Sequence, residues 1–312
     1  MKKKIYEILR KIVAKKAAHN LGKVEIHDDK IVCYVDERKL KKKEKNLHRY
    51  NLMFNRIPSN SELYKTYRID KPIHYIVKNV DFDRKINIMA SMKDCHITFE
   101  NCTFTGALEI DFADQITFRN NKYKPQTYKN FYSIYKEGEF CISTRANKSE
   151  INKLEFLNEN ISIEEILPNE SEKNTISVYL YGKEIKLINT DIENAKNIEV
   201  GADNLYLNNS DLCAEEVEID ATNIDVNIFE VTSDVTSINT SHIVDTILVK
   251  NNALFINGVE INRYEKNIDI GNLGLQKQRL ELVNTLKKIG SSWEETMVYE
   301  LRKQPLTRVL KK

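Results

Sequence analysis

The chain has no run of about 18 apolar residues, so no segment of it reads as a membrane-crossing helix. Its five cysteines, Cys33, Cys95, Cys102, Cys141 and Cys213, are odd in number and form no CxxC, and its six histidines form no HxxxH. That spacing speaks against a zinc site and a disulfide framework, and leaves reduced thiols packed in a core. P-loop, GxGxxG, HExxH and GxSxG patterns are all missing, which removes the common signatures of nucleotide binding, metalloproteolysis and serine hydrolysis. Arginine is absent from residues 151–250, a stretch with six lysines and far more carboxylates.

What is present is unevenly distributed. The net charge of the 312 residues is only +2, yet residues 1–72 are basic, with KLKKKEK at Lys39–Lys45 as the densest run. A basic head and an acidic body suit nucleic-acid contact through Lys39–Lys45, head-to-tail self-association, or a charged protein partner; a solvated surface explains them equally well. The opening MKKKIYEILRKIVAKKAAHN resembles a leader, but Glu7, Arg10 and Lys11 interrupt its apolar part. Ile5, Leu9, Ile12 and Val13 share one helical face, which predicts an amphipathic helix and a cytoplasmic protein.

A short pattern recurs: apolar, any, apolar, any, Asn, any, any, apolar. It runs Tyr75 to Phe82 around Asn79, Ile97 to Phe104 around Asn101, and Ile116 to Tyr123 around Asn120. It returns around Asn189, Asn209 and Asn251, and once more from Ile224 to Val231 with Ile228 in place of Asn. The spacing of about 19 to 23 residues between neighbouring copies is that of one solenoid turn. Alternation of period two gives a strand with one inward face. The fixed Asn then sits at a corner, where it tolerates a left-handed backbone and its amide can bond to the copy above or below. An enzyme motif does not recur in this way, so these asparagines read as structural.

A second segment precedes each Asn strand: Leu108-Glu-Ile110-Asp, Ile198-Glu-Val200-Gly and Val217-Glu-Ile219-Asp, with Ile86-Asn-Ile88 and Ile176-Ser-Val178-Tyr fitted to the same place. With its period and Asn corner, the chain resembles the pectate-lyase-like superfamily of right-handed parallel β-helices over roughly residues 75–260. The resemblance implies an all-β, single-stranded β-helix with an Asn ladder and helical terminal segments, and it supplies the handedness. The expected division is a basic cap at 1–72, a β-helix at 73–262 with the repeat broken by an insertion at 124–175, and a helical segment at 263–312. In that last segment Leu275, Leu282, Leu286 and Ile289 share a face, Ser292 to Glu295 forms a capping box for another helix, and Pro305 ends it.

In that superfamily, ligands lie on the outer face of the first strand of each turn. Mapped here, this face carries Glu109, Asp111, Ser177, Tyr179, Glu199, Glu218 and Asp220. Stacked carboxylates suit a carbohydrate-active site or, less strongly, a divalent cation; no other cofactor is expected. The insertion adds Tyr128, Phe131, Tyr132 and Tyr135 among lysines, apt for stacking on sugars or anchoring a partner. The triplet Asn189-Thr190-Asp191 looks like a polygalacturonase motif, but the repeat already accounts for it. An Asp-Asp pair, a Gly-His-Gly and an Arg-Ile-Lys are missing from the repeats. The balance favours a non-catalytic binding or scaffold protein, with a protein partner or a second copy as ligand; glycan and nucleic acid are the alternatives.

Overall fold

The computed structural model describes residues 2–43, 49–54, 62–91, 93–124, 139–144, 150–162, 175–244, 247–261, 267–269 and 297–302. The described chain is all-β in character, and its strands join one mostly parallel sheet system. Successive repeats lie in parallel register: Tyr75 pairs with Ile97, Ile97 with Ile116, Ile116 with Leu154, Leu154 with Ile185, and Ile185 with Leu205.

The corners make this register possible. Asn79, Asn101, Asn120, Asn189 and Asn209 all have φ between 47° and 55°, the left-handed region that asparagine enters at little cost. Ile228 occupies the same corner with φ 59°, although a β-branched residue is ill suited to it. At the surface, Asn189 Nδ2 donates to Asn158 Oδ1 (2.9 Å) and Asn209 Nδ2 to Asn189 Oδ1 (3.1 Å).

A second ladder runs just inside the corner. The left-handed turn leaves the next amide without a strand partner, and a side chain of the following repeat accepts from it. Cys102 N–H donates to Asn121 Oδ1 (2.8 Å), Asn121 N–H to Glu159 Oε1 (3.2 Å), and Thr190 N–H to Ser210 Oγ (3.1 Å). Each acceptor is buried, so each such bond removes an orphaned polar group from the interior.

The inward face is filled by aligned side chains. Phe99, Phe118 and Phe156 stack with ring centroids 5.4 and 4.9 Å apart, and Phe82 stacks on Phe104 at 5.5 Å. Towards the C-terminal side the same columns continue as Leu187 and Leu207. Cys33, Cys95, Cys102 and Cys141 are buried thiols outside any disulfide, and burial pushes both Cys33 and Cys102 up to about 11.

Four expectations need correction. The repeat does not stop between Tyr123 and Ile176: strands Glu139–Thr144, Ile151–Leu157 and Asn160–Ile161 form a further copy, with Asn158 at its corner at φ 55°. Asn251 is not in the corner column, because it pairs with Ser233 while Val249 pairs with Val231. The parallel stack also reaches into 1–72. After α1 (Lys2–Ala17), strands β1 (Gly22–Ile26) and β2 (Ile31–Val35) form an antiparallel hairpin, and β2 pairs in parallel with Ile73–Lys78. Last, Met297–Arg302 is a strand, antiparallel to residues 247–249, where the capping box predicts a helix; edge pairing outweighs that local signal. The apolar face at Leu275–Ile289 lies outside the described residues.

Ile228→Asn restores the residue that the corner favours and is expected to stabilise the fold by about 1 kcal/mol. Asn189→Ile, which also removes both ladder amide bonds, is expected to destabilise it. Urea midpoints of the two variants check the account, and an Ile228→Asn protein less stable than its parent contradicts it.

Candidate functional site

The outward face of the first strand is set by the parallel register. Asn51, Asn87, Glu109 and Ser143 succeed one another along it, followed by Tyr179 and Glu199. Tyr179, not Ser177, pairs with Glu199; Ser177 is buried and pairs with Asn197. The fit of Ile176-Ser-Val178 to Leu108-Glu-Ile110 is therefore displaced by one alternation, since Val178 and Leu108 both pair with Ile142.

This face divides into two groups. In the first, Glu109 is fully buried and its Oε1 lies 2.7 Å from Lys85 Nζ. Gly106 allows the approach, because a Cβ there would stand 2.3 Å from the Lys85 amide nitrogen. One position on, the register shifts after Ile88 and Met89 pairs with Phe112, so Asp111 is the extra residue of a bulge. Asn87 Nδ2 donates to its Oδ2 at 3.0 Å. Lys85 thus supplies the cation that the sequence pattern omits from this face.

The second group is acidic and aromatic. Tyr181 O–H donates to Glu199 Oε1, and burial together with that carboxylate pushes the Tyr181 hydroxyl well above the usual tyrosine range. Asn197 Nδ2 lies 3.5 Å from the Tyr179 hydroxyl. Partial burial, then the Glu199 and Asp220 carboxylates, raise the Glu218 carboxyl. Lys85, Tyr181 and Asn197 belong to the site and were not evident in the pattern of carboxylates; only the register brings them in.

The chain matches no family model, no curated protein and no solved structure. Its chemistry therefore rests on its own geometry. Among the described residues, no group of three or more His, Cys, Asp or Glu is placed to hold a metal ion. Thr190, the middle of the polygalacturonase-like triplet, is buried and donates from Oγ1 to the Phe156 carbonyl at 3.1 Å, so the triplet serves the corner. Tyr128, Phe131, Tyr132 and Tyr135 lie outside the described residues, as do Glu44 and Lys45 and the side chains of Lys41–Lys43.

The outward face of the second strand carries a different network. His74 and His96 stack at 4.0 Å with rings 4° from parallel. Their Nε2 atoms meet Thr98 Oγ1 (2.8 Å) and Thr117 Oγ1 (3.0 Å). Thr117 Oγ1 donates to Glu155 Oε2 (2.9 Å), and Glu155 pairs with Lys153 at 2.8 Å. Burial lowers His74 to about 4 and, with His74 beside it, His96 to about 3.

Both histidines are neutral in the fold, whereas the unfolded chain protonates them near pH 6.5. Below that pH the unfolded state binds more protons, so their contribution to stability is present above 6.5 and is lost as pH falls towards 4 and 3. Glu159, raised by burial to about 7, acts in the opposite sense, and its contribution is lost as pH rises from the ordinary carboxylate range through 7. A His74→Gln/His96→Gln variant is expected to flatten the acid limb by ~1–2 kcal/mol per pH unit, allowing for partial exposure of the rings. Denaturant melts at several pH values measure this; a variant limb parallel to the parent limb means that the histidines titrate normally.

Proposed function

We propose that the chain is a right-handed parallel β-helix, of pectate-lyase-like architecture, that serves as a non-catalytic binding scaffold. In this reading, the face formed by Tyr179, Tyr181, Glu199, Glu218 and Asp220 recognises a basic macromolecular partner. The partner chemistry is that of the protein's own N-terminal segment, so assembly between copies is the form that the charge distribution favours. The observation that carries the reading is the placement of Tyr179 beside Glu199 in the next repeat, with Tyr181 O–H donating to the same carboxylate; burial first, and then the Glu199 and Asp220 carboxylates, raise Glu218 next to them. The described ion pairs include neither Glu199 nor Glu218. A cation brought by a partner relieves that repulsion, and the flanking tyrosines offer stiff contact area at low entropic cost.

Light scattering over a range of protein concentrations tests this. The expected result is a mass above the 36.4 kDa of one chain at low salt, returning to one chain at high salt, with Glu199→Gln/Glu218→Gln weakening assembly roughly tenfold. A single-chain mass throughout removes assembly between copies from the reading.

A second reading is a carbohydrate-active protein. It is favoured by two tyrosines at one carboxylate, Tyr179 paired with Glu199 and Tyr181 hydrogen-bonded to it, an arrangement suited to a sugar face and its hydroxyls. Binding on a glycan array that Tyr179→Ala and Tyr181→Ala abolish supports it, and an array without signal removes it.

A further inference from the structure

Of the four residues that the pattern puts on one face of α1, the fold buries only Val13. Val13, Ala14 and Ala17 are buried against the body, while Ile5, Ile8, Leu9 and Ile12 are 51%, 53%, 39% and 57% exposed. Its orientation is pinned. Tyr6 O–H donates to the Thr66 carbonyl (3.1 Å), Arg10 Nε donates to the Tyr67 carbonyl (3.1 Å), and the Tyr6 and Tyr67 rings lie 5.3 Å apart. The aliphatic stripe is therefore held outward by contacts on the opposite face of the helix.

Helical spacing of 100° per residue places Ile5, Ile8 and Ile12 on one line. Lys4, Lys11 and Lys15 run along one flank of it, and Lys16 lies on the other. The one acidic residue of the helix is Glu7, which stands 3.9 Å from Arg10. We propose that α1 is a membrane-surface anchor, laying the Ile5–Ile8–Ile12 stripe into a lipid leaflet that contains anionic headgroups.

Charge complementarity selects this occupant. Lysines bracketing an aliphatic stripe extend their stems along the apolar boundary and place their ammonium groups at the level of the phosphates. Protein-binding hot spots draw mainly on Trp, Tyr and Arg, whereas leucine is under-represented in them; the outward stripe of α1 is isoleucine and leucine. Lying in a leaflet is distinct from crossing it, and no described helix is long and apolar enough to cross. The inference stands on α1 and does not need the acidic face, but α1 belongs to the basic N-terminal segment invoked for assembly above, so the test reads vesicle binding and self-association separately.

Flotation of the full chain with vesicles tests it. Vesicles of phosphatidylcholine with phosphatidylserine are expected to carry the protein, pure phosphatidylcholine vesicles at least tenfold less, and high salt is expected to reduce the difference. Ile8→Ser/Ile12→Ser, at exposed positions, is expected to weaken binding at least tenfold with an unchanged circular dichroism spectrum and melting temperature. Lys4→Glu/Lys11→Glu is expected to abolish the preference for phosphatidylserine. The proposal is overturned by failure to float with anionic vesicles, or by an Ile8→Ser/Ile12→Ser protein that floats like its parent. It is overturned equally if that variant changes only the self-association of the chain.

Discussion

The left-handed corner is the constraint on which the rest depends. Turning the chain there strands the following amide away from the strand ladder, inside the protein. A buried amide without an acceptor costs on the order of 1–3 kcal/mol, and the cost recurs at every repeat. Asn121, Glu159 and Ser210 resolve it by reaching back to the copy before them. Corner asparagines outside and polar acceptors inside thus bind neighbouring repeats in register, and parallel strand pairing and aligned rings follow from that register. The turn needs no glycine to make it, which agrees with only nine glycines in the chain.

With the register set, each outward face becomes a row of defined side chains. The first-strand face places a half-buried Lys85 on the buried Glu109 carboxylate at one end, and the Glu199, Glu218 and Asp220 carboxylates with two tyrosines at the other. The second-strand face is a continuous hydrogen-bonded series from His74 to Glu155, rigid and internally satisfied. The contrast matters for function. A satisfied network stabilises the wall, whereas like charges held side by side gain energy from a partner that separates or neutralises them.

The legible part of the fold was the part written in residue identity. Asparagine at a fixed place after two alternating apolar residues marked the corners at Asn79, Asn101, Asn120, Asn189 and Asn209, and the Ile228 corner followed by position. Asn158 sits in the same pattern, Leu154 to Ile161, but long segments on either side separate it from its neighbours in the sequence. Register was less legible, because a period of two is indifferent to a shift by two. That is why Ser177 stood where Tyr179 belongs; Asn251, which pairs with Ser233 five residues past the Ile228 corner, is instead a chance copy of the pattern. At α1 the periodicity found the helix but not which apolar side faces the body; small Ala14 and Ala17 make the contact, and larger Ile5 and Ile12 do not. Lys85 as partner of Glu109 follows from the register that pairs Asn87 with Glu109 and from a close backbone approach at Gly106, neither of which has a sequence spacing of its own.

Native-state hydrogen exchange at the corner amides tests the central claim most directly. The amides of Cys102, Asn121 and Thr190, each donating to a side chain of the next repeat, are expected to exchange only through global unfolding, as slowly as the amides of the paired strands. Glu159→Ala is expected to release the Asn121 amide alone. Rapid exchange of these amides in the parent protein, at the rate of exposed loop positions, would contradict the account.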